Sequence, residues 1–174
     1  MFKNSTLHEK ATFLRDAIFG ANDGIITTFA IVAGSAGARL SSSVVIILGF
    51  ANLIADGFSM ASGNYLGIKS QLAFQKKMKD KRKDEHSPVK HGAITFFSFV
   101  LAGLLPLIPY IFGLKNPFEI SIVAVGIGLF GIGAVRGMYS DKGYFREGLE
   151  MFLIGGFAAS TAYFVGLFID TYVL

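Results

Sequence analysis

The 174-residue sequence contains no cysteine and no tryptophan. Without cysteine there is no disulfide scaffold, no thiolate zinc site, no iron–sulfur cluster and no cysteine nucleophile. Charge is scarce too: Asp, Glu, Lys and Arg make up 16% of the chain, against about a quarter in a typical soluble domain. Catalytic signatures are missing as well. There is no HExxH and no GxSxG, and the three histidines, His8, His86 and His91, fall outside the apolar stretches. That argues against an intramembrane enzyme. Neither a long-period repeat nor the similarity between spans that inverted repeats leave is visible.

What the chain has instead is apolar length. Residues of the AVILMFWYC set account for 52% of it, and it holds 21 Gly and 18 Phe. A bilayer core about 30 Å thick takes roughly 20 apolar residues per helical crossing. Five stretches qualify, at about 17–38, 43–67, 92–114, 117–138 and 149–170. The expected fold class is therefore all-α: a polytopic membrane protein of five transmembrane helices, with residues 1–174 as a single transmembrane domain. The first stretch contains Asn22 and Asp23 and follows residues of both charge signs, unlike a cleavable signal peptide. Ahead of it, Thr6-Leu7-His8-Glu9 fits a capping box, which predicts a helix start there and a short interfacial helix running into the first crossing.

Lys and Arg outside the spans number 3, 1, 8, 1, 3 and 0 from the N-terminal segment to the C-terminal tail. This alternation places the N-terminus in the cytoplasm and the C-terminus outside. The eight cations of the second connection, residues 68–91, make it a short basic cytoplasmic loop. Within it, Gln75–Lys83 holds six cations and one acid, with a single aromatic, Phe74, beside it. No nucleic-acid recognition fold accompanies this run, so no nucleic-acid partner is expected. Anionic lipid headgroups are the expected partner. His86 and His91 flank Pro88 in the same loop and read as solvated side chains rather than metal ligands.

Two acids stand where charge is expensive, Asp23 in the first span and Asp56 in the middle of the second. A charged group inside a membrane costs roughly 2.5–3.5 kcal/mol on insertion scales, so it faces a cavity, a partner or a pathway. At 100° per residue, Asp23, Thr27, Ala30 and Gly34 share one narrow face of the first helix. Asn52, Asp56, Ser59, Met60, Gly63 and Gly67 share one face of the second. Carboxylate, amide, hydroxyl and thioether together suit a borderline divalent cation such as Fe²⁺, and a carboxylate there can also exchange protons with it. The alternative is packing: Gly20-x-x-x-Gly24 and Gly63-x-x-x-Gly67 are patterns that bring helices close, with Asn and Ser as interhelical glue.

Residues 15–28 (RDAIFGANDGIITT) and 55–67 (ADGFSMASGNYLG), with Pro106-Leu107-Ile108-Pro109-Tyr110, resemble the ordered motifs of the vacuolar iron transporter, or CCC-type, family. The resemblance implies a homodimer of five-helix subunits that carries Fe²⁺, often also Mn²⁺, out of the cytosol, commonly in exchange for protons. The metal is then a substrate, with no tightly bound cofactor. The implied localisation is the cell membrane in a prokaryote and a vacuolar-type membrane in a eukaryote. It further implies a pathway between the subunits, lined by the first two helices. Asp23 and Met60 become the central metal-contacting pair, with Asn52 and Asp56 along the same route. Asn64 stands where members often carry an acid; its carbonyl oxygen can still bind a cation. Thr27 and Ser59 complete the candidate set. Iron-storing members carry a long Glu-rich insert between spans two and three. Here that region is short and basic, as in the branch without this metal-binding domain. A non-transporting membrane scaffold is the competing class; it explains the glycines and leaves Asp23 and Asp56 unexplained.

Overall fold

The structure, a computed structural model, describes residues 2–78 and 87–173, with side chains from Glu9 onward. Lys79, Lys81, Arg82, Lys83 and His86 of the basic segment, and the side chains of Thr6 and His8, lie outside the described residues. The elements are α1 (Phe2–Gly37), α2 (Ser42–Lys77), α3 (Pro88–Gly103), a 3₁₀ turn (Leu105–Leu107), α4 (Ile108–Ile111), α5 (Pro117–Gly137) and α6 (Tyr144–Tyr172). No strand occurs among the described residues. Five helical stretches are long and apolar enough to cross a membrane: Glu9–Gly37, Ser42–Lys77, Pro88–Ile111, Pro117–Gly137 and Tyr144–Tyr172.

Several boundaries differ from those read off the sequence. The helix that the capping box was expected to start at Thr6 already runs from Phe2, and it continues without a break into the first crossing. Residues 68–77 and 88–91, expected in the loop, are helical, because α2 extends to Lys77 and α3 begins at Pro88. At 1.5 Å per residue, the 36 residues each of α1 and α2 span about 54 Å, well beyond the bilayer core. The third crossing is broken near Pro106 and Pro109, each of which removes a backbone donor. Ser121 of α5 donates to the Pro106 carbonyl at 2.7 Å and so satisfies part of the broken ladder.

The packing is that of a protein whose outside meets lipid. Phe157 is 77% exposed, Leu101 70% and Phe58 69%, an arrangement that water penalises and hydrocarbon does not. The chain is an integral multi-pass membrane protein. Its core joins Ile25, Phe29 and Val32 of α1 to Leu53 of α2, Phe99 of α3, and Val125 and Leu129 of α5. Helix α3 sits against both α1 and α2, and α6 lies along α1 and α5. Glycine permits the close approach of α1 and α3. A Cβ on Gly20 would lie 2.6 Å from the Thr95 carbonyl oxygen, and one on Gly24 would collide with the Phe99 backbone.

Candidate functional site

The charged and polar residues of α1 and α2 converge on a cleft of about 680 Å³. Asp16 and Asp23 line it from α1, and Met60, Gly63, Asn64 and Gly67 from α2. A comparable cleft between α5 and α6, about 700 Å³, is lined by Ile122, Ile127, Phe130 and Phe152 and offers no polar side chain. The first therefore carries polar side chains that the second lacks. The helical periodicity explains the convergence. Residues 60, 63, 64 and 67 fall on one stripe of α2, and Met60 also packs against the core.

Asp23 is half-buried in this cleft. Thr27 donates from its hydroxyl to the Asp23 backbone carbonyl at 2.8 Å. Asn52 donates to the hydroxyl oxygens of Thr27 at 3.4 Å and Thr28 at 3.3 Å, which ties α2 to α1 just beyond the cleft. Asn64 donates to the Thr95 hydroxyl oxygen at 2.7 Å and the His91 carbonyl at 3.4 Å. Of the seven candidates, Asp23, Met60 and Asn64 share the cleft, while Thr27 and Asn52 form a hydrogen-bonded pair. Asp56, one helical turn before Met60, and the exposed Ser59 lie outside the cleft lining. Among the described residues no three His, Asp or Glu side chains gather into a metal-holding group.

The small residues divide between the two readings of the glycine patterns. Gly20 and Gly24 serve packing, against α3. Gly63 and Gly67 do not: a Cβ on either would meet nothing within 4 Å. Gly34, expected on the face of Asp23, instead lies against Ala162 of α6, where a Cβ would stand 3.4 Å from its carbonyl oxygen.

His91 requires a correction. It is 1% exposed within α3, not solvated in a loop, and its Nδ1 is hydrogen-bonded to the Asp16 carboxylate. Arg15 bonds the other Asp16 oxygen at 2.9 Å, and the Phe13 ring lies 4.5 Å from the imidazole, centroid to centroid. A second buried acid, Glu147 of α6, pairs with Arg136 of α5 at 2.7 Å and accepts from Ser140 at 3.1 Å. Sequence reasoning missed both pairs. For Asp16 a signal existed, since it lies seven residues before Asp23 and hence on the same face of α1. For Glu147 no local pattern distinguishes it from the exposed charges around it.

A sequence profile of the VIT family matches residues 14–87 and 72–167. The chain belongs to the VIT family. Among the relatives it is similar to is the vacuolar iron transporter of Toxoplasma gondii, 26% identical, covering 94% of this chain and 76% of that protein. Vacuolar iron transporter 1 of Eucalyptus grandis is 26% identical, over 90% of this chain and 88% of its own. Vacuolar iron transporter homolog 3 of Arabidopsis thaliana is 30% identical, over 87% and 80%. VIT membership makes the chain one of a family of membrane metal transporters. The alignment with the Toxoplasma protein runs over 231 positions, more than the 174 residues present here, so that VIT relative carries residues this chain lacks.

Proposed function

We propose that this chain moves Fe²⁺, and also Mn²⁺, out of the cytoplasm in exchange for protons, along a pathway between two copies of itself. The observation that carries the reading is the shared cleft, in which Asp23, Met60 and Asn64 offer a carboxylate, a thioether and an amide. Such a mixed set binds borderline divalent cations without holding them permanently. Asp56 adds a second negative charge, and Asn52 and Thr27 extend the polar route. A carboxylate that has released metal can take up a proton, so exchange needs no further group. No covalent step and no resident cofactor enter this reading.

The second copy is supported by what one chain leaves open. Gly63 and Gly67 have no neighbour above them, Ser59 is exposed beside them, and one chain supplies few acids. A two-fold axis along the α1 and α2 faces doubles every donor. The basic segment after α2 holds the N-terminus in the cytoplasm and meets anionic lipid. The extra length of the Toxoplasma relative supports placing this chain in the branch without a cytoplasmic metal-binding insert. Flux of Fe²⁺, Mn²⁺, Co²⁺ and Zn²⁺ into proteoliposomes at two pH gradients tests the proposal. Fe²⁺ and Mn²⁺ flux that rises with the opposing proton gradient is expected. No metal flux sinks the reading, and flux indifferent to pH removes the exchange.

A further inference from the structure

We propose that Thr95 of α3 is a positioning residue for metal binding: it fixes which end of the Asn64 side chain faces the cleft. The inference rests on the reading of the cleft as a metal pathway. It concerns a residue of a helix that contributes none of the candidate ligands.

A carbonyl oxygen only accepts, so the 3.0 Å contact between the Thr95 hydroxyl and the His91 carbonyl spends the single Thr95 proton. The Thr95 oxygen is left as an acceptor for its neighbour 2.7 Å away, the Asn64 amide nitrogen. The second amide hydrogen goes to the His91 carbonyl at 3.4 Å. Both N–H groups of Asn64 are therefore turned to α3, and among the described residues Oδ1 takes no hydrogen bond. Reversing the amide would set Oδ1 against the His91 carbonyl, two acceptors facing each other in a site where Thr95 is 0% exposed and water cannot intervene. Oδ1 is thus the amide atom left for the cleft. For a cation the difference is one of sign, since the amide oxygen attracts it and the N–H₂ end repels it.

The anchor is rigid. The Thr95 carbonyl is closely approached by Gly20 of α1, and a Cβ on Gly92 would lie 2.8 Å from the Ala61 carbonyl of α2. Helix α3 is wedged between the two walls of the cleft and cannot shift its hydroxyl to follow a rotating amide. An aspartate at 64 behaves differently, because its two oxygens make rotation immaterial.

Co²⁺ uptake into proteoliposomes, normalised to folded protein, tests this with Thr95→Val, Thr95→Ser, Asn64→Asp and the double variant Thr95→Val/Asn64→Asp. Thr95→Val should raise the half-saturating Co²⁺ concentration about tenfold, as loss of one buried hydrogen bond permits, with the maximal rate little changed. Thr95→Ser should restore the wild-type value, and Thr95→Val should change nothing further in the Asn64→Asp background. Thr95→Ala replaces Thr95→Val if the latter fails to fold. An unchanged half-saturation in Thr95→Val, or the same loss in both backgrounds, overturns the positioning role while leaving the pathway intact. Wild-type transport by Asp23→Asn would instead remove the pathway, and this inference with it.

Discussion

Asp16 of α1 and His91 of α3, 75 residues apart in sequence, meet side chain to side chain in the interior, each almost wholly buried. Removing one partner costs the other a buried hydrogen bond, a loss of about 1–3 kcal/mol. Asp16→Ala and His91→Ala should each lower the thermal unfolding midpoint in detergent, followed by circular dichroism. The double variant should lose clearly less than the two single losses added together. Additive losses would mean that the two side chains do not depend on each other.

The glycines predict a contrast within one sequence pattern. Gly20→Ala pushes a methyl group against the Thr95 carbonyl, a backbone atom that cannot step aside. It should destabilise the fold by about 1–3 kcal/mol. Gly63→Ala and Gly67→Ala meet nothing in their own chain and should leave the monomer's stability within about 0.5 kcal/mol of wild type. If those positions face a second copy, the same substitutions reduce crosslinking or dimer yield in nanodiscs. Equal destabilisation by Gly20→Ala and Gly63→Ala would show that the two patterns serve one role.

These cases also show what the sequence makes legible. The five crossings follow from apolar length, which is a local property, and the structure has all five. Helical periodicity gives the faces of Asp23 and Met60, the motif at residues 55–67 gives Asn64, and the structure brings all three to one cleft. Asp16, His91, Arg136 and Glu147 were not legible. His91, Arg136 and Glu147 sit near helix ends, where a charged residue ordinarily meets water, while Asp16 lies mid-helix; Asp16, His91 and Glu147 are buried where a partner from another helix arrives beside them. Such pairings are non-local and leave no spacing to read. Thr95 was hidden for a different reason: its importance lies in the direction of a hydrogen bond, which only the geometry of α3 against α2 reveals.

The distribution of Lys and Arg predicts a cytoplasmic N-terminus. A single cysteine at Lys77, at the end of α2, should react with an impermeant thiol reagent only from the cytoplasmic side, and one at Lys115 only from the opposite side. The reverse pattern would invert both the topology and the direction of transport.

Met60 separates a ligand from a packing residue. Met60→Leu keeps the volume and the contact with the core but removes the soft sulfur. If the thioether binds the cation, Fe²⁺ and Co²⁺ uptake should fall more than uptake of the harder Mn²⁺. A packing role predicts equal uptake of all three metals at the wild-type rate.

The charge of Asp23 is the centre of the account, and Asp23→Asn tests it most directly. The substitution keeps the size and hydrogen-bonding capacity of the side chain while removing its attraction for a cation inside the membrane. The measurement is the initial rate of Fe²⁺ and Mn²⁺ uptake into proteoliposomes, normalised to folded protein. Transport of both metals should collapse by about a hundredfold or more while the protein remains as stable as wild type or gains stability from losing a buried charge. Uptake by Asp23→Asn at the wild-type rate would contradict it.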